Sequence, residues 1–103
     1  KIDTKLDFNQ QALALEARVR GLAPTPGAWF EYQGERFKVF RAEVVEGRGN
    51  AGLIIDEDLT IACGEKALNI LEIQRQGRDI MSLSDLIRGF KFIKGDSVNQ
   101  STR

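Results

Sequence analysis

The segment GERFKVFR, Gly34–Arg41, sets two phenylalanines and a valine in close alternation with three basic side chains. Two structures fit such a pattern. It can be an exposed strand that stacks bases on Phe37, Val39 and Phe40, or one wall of a packed barrel whose aromatics face inward. The phase of the apolar residues bears on the choice. Phe37 and Val39 share one face of a strand, yet Phe40, Ala42 and Val44 share the other, and Leu68 and Ile70 are likewise followed out of phase by Leu71 and Ile73. A β-bulge does this, keeping apolar side chains inward while the strand rounds the corner of a small barrel. Burial of both faces beneath covering helices does it too. Either way Phe37, Val39 and Phe40 read as core, and under the bulge reading Arg36, Lys38 and Arg41 emerge together on the outside.

Outward from this stretch, strand-like segments run over Trp29–Tyr32, Arg36–Val45, Gly52–Ile55, Leu59–Cys63 and Ala67–Gln74, parted by the turn-prone QG, EGRGN, DED and GEK. Five short strands with tight turns predict a mainly β fold, an antiparallel meander or barrel. RNA-binding sheets of the base-stacking kind interleave their strands with two long helices, an order this chain lacks. Helices stand at the ends instead. Phe8, Ala12, Leu15, Val19 and Leu22 form one stripe of a helix from about Gln10 to Leu22, with Asp7 or Asn9 as its cap and Leu13 on the outer face. Pro24, Pro26 and Gly27 end it, and Trp29 is expected as a lid over the core beside Pro26. Ser82 and Asp85 form a capping box before Leu83, Leu86, Ile87 and Phe90, which predicts a short second helix ending near Gly89.

Composition narrows the chemistry. With 103 residues, 42% of them hydrophobic, the chain is one domain able to bury roughly 60 to 65% of its unfolded surface. No apolar run approaches ~18 residues and the start KIDTKLDF has no apolar signal-peptide core, so a soluble, intracellular protein without membrane contact is expected. A first residue Lys1 rather than Met reads as a piece of a longer protein. The single Cys63 rules out an internal disulfide, and the absence of histidine removes His-based metal sites and His general bases. Cys63, inside the apolar LTIAC run, reads as a small buried hydrophobe, and Asp56, Glu57 and Asp58 as a solvated turn. The zero net charge conceals a segregation: residues 16–41 carry five basic and three acidic side chains, 75–94 five and two, and 42–74 two and seven. Such a chain can guide a polyanion without binding it strongly.

Three stretches carry a family likeness: VRGLAPTPGAWFEYQGERFKVFRAEVV at 19–45, LTIACGEKALNILEIQRQGRDIMS at 59–82 and LIRGFKFIKGD at 86–96. In their order and spacing the chain resembles the C-terminal domain of bacterial methionyl-tRNA formyltransferases. The resemblance implies a five-stranded OB-like barrel with an N-terminal helix and a short C-terminal helix over residues 9–98, a linker remnant at 1–8 and a disordered tail at 99–103. It implies an N-terminal catalytic domain elsewhere, holding the formyltetrahydrofolate site and the catalytic residues. On this reading the chain itself is no enzyme and binds no cofactor or metal. Its partners are that domain and the initiator methionyl-tRNA, in the cytoplasm. Matched to the family pattern, Arg20 stands at the basic position before the Pro-x-Pro segment, Lys38 and Arg41 in the basic strand ending in Arg-Ala, and Arg78 at the first basic position of a Gly-Lys-Lys loop. These four are the expected tRNA contacts, while Arg18, Arg75, Arg88, Lys91 and Lys94 read as solvated surface. The chain departs from the pattern at Thr25, where many relatives have Trp, and at Asp79, where a second base is common. Relatives that formylate nucleotide sugars or hydrolyse formyltetrahydrofolate share the architecture, so a structural module without nucleic-acid contact is the alternative.

Overall fold

In the computed structural model, which describes residues 3–100, the chain runs α1 (Ala12–Leu22), β1 (Ala28–Tyr32), β2 (Glu35–Val45), β3 (Thr60–Ala62), β4 (Ala67–Arg75), β5 (Ile80–Ser82) and α2 (Leu83–Leu86). All strand pairs are antiparallel, in the order β1-β2-β4-β3, and β5 lies on the edge of β4 that β3 also occupies further along. Strand pairing therefore makes a curled, open sheet, half of a barrel. The segment expected as a strand at Gly52–Ile55 forms only isolated bridges, Leu53 to Ser97 and Ile54 to Ile61. It is shared between two partners, so no continuous ladder grows. The fifth strand is instead Ile80–Ser82, where the Arg75–Arg78 turn folds the chain back and the Gln74 amide donates to the Arg78 carbonyl at 2.8 Å.

The phase slip in GERFKVFR is a bulge with a counterpart on the neighbouring strand. Val39 faces Ile73, Arg41 faces Glu72 and Ala42 faces Ile70, so Phe40 on β2 and Leu71 on β4 are each without an opposite residue. Beyond the paired bulges Ala42 and Ile70 return to the inner face and are buried. Phe37 and Val39 are fully buried, which excludes the exposed base-stacking strand. Phe40 is a correction: as the extra residue it is only half-buried and stands outside the core cluster.

The interior is aromatic. Phe37 stacks on Phe30 with centroids 5.5 Å apart and meets Phe92 edge-on at 5.1 Å, and Tyr32 lies 5.1 Å from Phe92. The buried Tyr32 hydroxyl donates to Asp96 at 2.7 Å and accepts from the Ile93 backbone N–H at 3.1 Å, tying the 90–98 segment across the sheet. Asn99, assigned from sequence to the tail, donates through its side chain to the Leu6 carbonyl at 2.8 Å and accepts from the Glu31 N–H at 2.9 Å. At the other end Leu6 and Phe8 are buried and Lys5 bridges Trp29 in parallel, so residues 3–8 pack as part of the domain. Residues 1–2 and 101–103 lie outside the described residues.

α1 buries Ala12, Leu15 and Val19, with Leu22 half-buried, and leaves Leu13 65% exposed. Its start differs from expectation. Asp7 accepts from the Asn9 N–H at 3.0 Å, a local turn one step too early, and Gln11 at the helix boundary makes no capping bond with its side chain. The β3–β4 turn serves instead: the Ala12 N–H donates to the Glu65 carbonyl at 3.0 Å, and the Gly64 N–H to the Gln10 carbonyl at 2.9 Å. At α2 the Ser82 hydroxyl accepts from the Asp85 N–H at 3.2 Å, as its capping motif foretells. Asp56 accepts from the Asp58 and Thr60 N–H groups, so the acidic triplet is a turn that shapes the chain.

Candidate nucleic-acid interface

The outer face of β1, β2 and β4 follows from strand alternation. With Ala28, Phe30 and Tyr32 inward, Trp29 and Glu31 must face out, and with Phe37 and Val39 inward, Arg36 and Lys38 must too. Trp29 is thus no lid over the core. It sits half-exposed beside its cross-strand neighbour Lys38, with the Arg36 guanidinium over its ring at 4.0 Å and the Lys5 ammonium 5.3 Å from the ring centre. Gln74 lies opposite Lys38, and the Gln76 N–H donates to the Arg36 carbonyl at 3.2 Å. Together Trp29, Arg36, Lys38, Gln74, Gln76 and Gly77 line an open groove of about 310 Å³.

Lys38 owes its position to the turn after α1. Gly27 has φ +86°, a backbone that other residues rarely adopt, and a methyl group there would fall 3.3 Å from the Lys38 Cδ. The lysine stem lies across this glycine. Arg78, in the β4–β5 turn, accepts the Gln74 amide on its backbone carbonyl, but it lines a separate hollow with Arg75, Met81, Asp85 and Phe90. Among the described residues no carboxylate comes within ion-pair distance of Arg36, Lys38 or Arg78.

The other two expected contacts are held differently. Arg20, on the exposed side of α1, donates to Glu16 one turn back at 3.0 and 3.1 Å, and the guanidinium holds that carboxylate below its usual pKa. Arg41 is outward as expected, but the bulge sets it opposite Glu72, 3.4 Å away. The structure therefore sets Lys38 in the outer groove and Arg78 at a separate hollow, both without an ion-pair partner among the described residues, and leaves Arg20 and Arg41 in pairs. Arg36 joins Lys38 in the groove, and the alternation that buries Phe37 is the signal for it. Arg75, expected as plain surface, is half-buried, paired with Glu35 and stacked on Phe90 at 4.4 Å, so it braces the sheet. Arg18 donates to the Asp3 carbonyl at 2.8 Å and Arg88 pairs with Asp85 at 3.5 Å, while Lys91 and Lys94 are exposed.

Residues 1–91 match the family model described as formyl transferase, C-terminal domain. The chain belongs to this family. Among curated proteins it is 47% identical over 90 residues to a methionyl-tRNA formyltransferase of Paramagnetospirillum magneticum, covering 87% of the chain and 30% of the relative. It is 39% identical over 105 residues to the methionyl-tRNA formyltransferase of Rhizorhabdus wittichii, covering 100% of the chain and 34% of that protein. This formyl transferase C-terminal domain thus spans about a third of the length of the curated relatives it matches. A crystal structure of a HypX variant from Aquifex aeolicus superposes with TM-score 0.62 over 98% of the chain and 22% of the HypX chain, at 20% identity, a likeness of fold alone. No helix among the described residues is long and apolar enough to cross a membrane.

Cys63 stands apart from the groove. It is buried, its thiol donates to the Ile61 carbonyl at 3.4 Å, and burial pushes its pKa up to about 11 from an ordinary 9.0. Because the folded value lies above the unfolded one, the associated stability is complete below pH 9 and declines as pH rises from 9 to about 11. Iodoacetamide at pH 8 is expected to label Cys63 at least tenfold more slowly in the native protein than in denaturant; equal rates would show an accessible thiolate.

Proposed function

We propose that this domain binds initiator methionyl-tRNA within a methionyl-tRNA formyltransferase and holds it for N-formylation in translation initiation, in the cytoplasm. The observation that carries the reading is the outward pair Arg36 and Lys38, free of carboxylate partners among the described residues, on the sheet face opposite the aromatic core, with the exposed and equally unpaired Arg78 in the nearby β4–β5 turn. The names of the relatives support the tRNA as partner. The reaction moves a formyl group from formyltetrahydrofolate to the methionyl amino group. An N-terminal catalytic domain of the same protein performs it, and this domain contributes phosphate contacts rather than cofactor binding. Lys38 and Arg78 are the primary contacts of the expected four, and Arg20 and Arg41 would exchange Glu16 and Glu72 for phosphate. The OB-like barrel belongs to the proposal as well, supported by the paired bulges and by the bridges of Leu53 and Ile54 along the open edge.

Phosphate contacts are blind to sequence and sensitive to salt. Neutralising Arg36, Lys38 and Arg78 together should reduce the slope of log affinity against log salt by about 2 and weaken initiator and elongator tRNAs alike, each phosphate contact accounting for roughly 0.7 to 0.9 of slope. A filter-binding or anisotropy titration at several salt concentrations reads both quantities. The alternative is a structural module that orients the catalytic domain, favoured by the zero net charge and by the pairing of Arg20 and Arg41. An unchanged slope and affinity in the triple variant would decide for it.

A further inference from the structure

Two arginines sit over aromatic rings, and they differ in what else they hold. Arg75 over Phe90 also donates to Glu35 and is half-buried, so its donors are committed. Arg36 over Trp29 is exposed, and among the described residues its guanidinium makes no hydrogen bond and no ion pair. The indole holds one side of the Arg36 guanidinium at 4.0 Å and leaves its N–H donors unused among the described residues. Binding a phosphate requires only charge, which Lys38 alongside supplies. A flat cation held against an indole next to side-chain amides is suited to a planar ligand.

Gln74 and Gln76 line the groove beside Arg36 and Trp29. The Gln76 N–H is bonded to the Arg36 carbonyl, and the Gln76 side chain has no hydrogen-bond partner among the described residues. Gln74 spends its amide N–H on the Arg78 carbonyl, which leaves its side-chain oxygen as an acceptor. The groove of about 310 Å³ stands at the small end of ligand sites, which run from roughly 300 to 1,000 Å³.

We propose that the Arg36–Trp29 stack is a nucleobase platform: one unpaired base of the tRNA lies on the outer face of the Arg36 guanidinium, with Gln76 at its edge and its phosphate on Lys38. This rests on the tRNA reading above and adds to it a preference for unpaired over duplex nucleotides, because a base within a helix keeps both faces covered by its neighbours.

Trp29 is the only tryptophan in the sequence, so its fluorescence reports the site directly. The chain is titrated at low salt with an eight-nucleotide single-stranded RNA and with the same strand annealed to its complement. The single strand should bind about tenfold more tightly and change Trp29 emission saturably, with little change from the duplex. Arg36→Lys keeps the charge and removes the planar stack; it should abolish the tenfold preference while salt-dependent tRNA binding persists. Lys38→Ala should weaken both ligands and keep the emission change. Equal emission changes from single strand and duplex, or an Arg36→Lys protein that retains the preference, overturns the platform and leaves phosphate binding standing. Absence of binding to any of these RNAs overturns both.

Discussion

Phe37→Ala is expected to lower the unfolding free energy by about 3–5 kcal/mol, the range for truncating a buried phenylalanine. The ring is fully buried, stacks on Phe30 and lies 5.4 and 5.1 Å from Phe90 and Phe92, so its removal opens a cavity between β1, β2 and the 90–98 segment. None of these neighbours is positioned to fill the space without giving up its own contacts. Phe40→Ala serves as the comparison. Three residues along the same strand, Phe40 is the half-buried bulge residue and should cost less than about half as much, since little cavity is left behind. Urea denaturation followed by circular dichroism measures both. Equal losses would mean that Phe40 is core and that the bulge is wrongly placed. Because Arg36 and Lys38 flank Phe37 on the outer face, the severe variant should also weaken tRNA binding in proportion to the unfolded fraction, whereas Phe40→Ala should not.

Gly64→Ala is the second large effect. A methyl group at Gly64 would lie 2.1 Å from the Asn9 carbonyl oxygen and 3.0 Å from its carbon, both backbone atoms that cannot rotate away. The contact is also where α1 begins, for the Gly64 N–H and the Glu65 carbonyl supply partners to Gln10 and Ala12. Relief requires moving the β3–β4 turn off the helix start, so both bonds are strained together. The expected cost is about 3 kcal/mol, the upper end of ordinary overpacking. Gly21→Ala is the control: it sits inside α1 with nothing within 4 Å, and should stabilise by about 0.5–1 kcal/mol through helix propensity alone. Thermal melts that place Gly64→Ala within the error of the parent would show that the close approach is not kept in solution.

These two residues also show what kind of information the chain carries locally. The need for Phe37 in the core could be read from alternation, because inward and outward positions on a strand are set by its own dihedral angles. The need for glycine at 64 could not. Ala-Cys-Gly has no local peculiarity, and the restriction comes from Asn9, 55 positions away by residue number. The same division runs through the helix ends. Ser82 caps α2 with a partner three residues on, and was legible; α1 is completed by the β3–β4 turn, and the local choice of Asp7 or Asn9 failed for that reason.

The candidate site divides in a similar way. Lys38 and Arg41 were picked from one strand as equals, and both point outward, but the bulges set Arg41 against Glu72 and leave Lys38 against Gln74. Whether an outward cation is open or paired depends on the residue across the ladder, which no single strand encodes. The strand phase that puts Glu31 outside puts Trp29 there too, against the expectation of a lid over the core beside Pro26. The strand at Ile80–Ser82 escaped because its neighbours RQGRD look like a loop, and pairing with β4 supplies the order that local propensity does not.

By itself, then, the sequence determined the mainly β class, the positions of both helices, the paired phase slips and the inward setting of Phe37 and Val39, because each depends on the period of a short segment and on burying its apolar side. The tertiary structure alone decided that strand pairing leaves the sheet open, that Gly64 admits no side chain, and that Arg36 and Lys38 share a groove with no ion-pair partner among the described residues while Arg20 and Arg41 are paired. Those features are distances between segments far apart in the chain, and they are set only when packing of the common core fixes one segment against another.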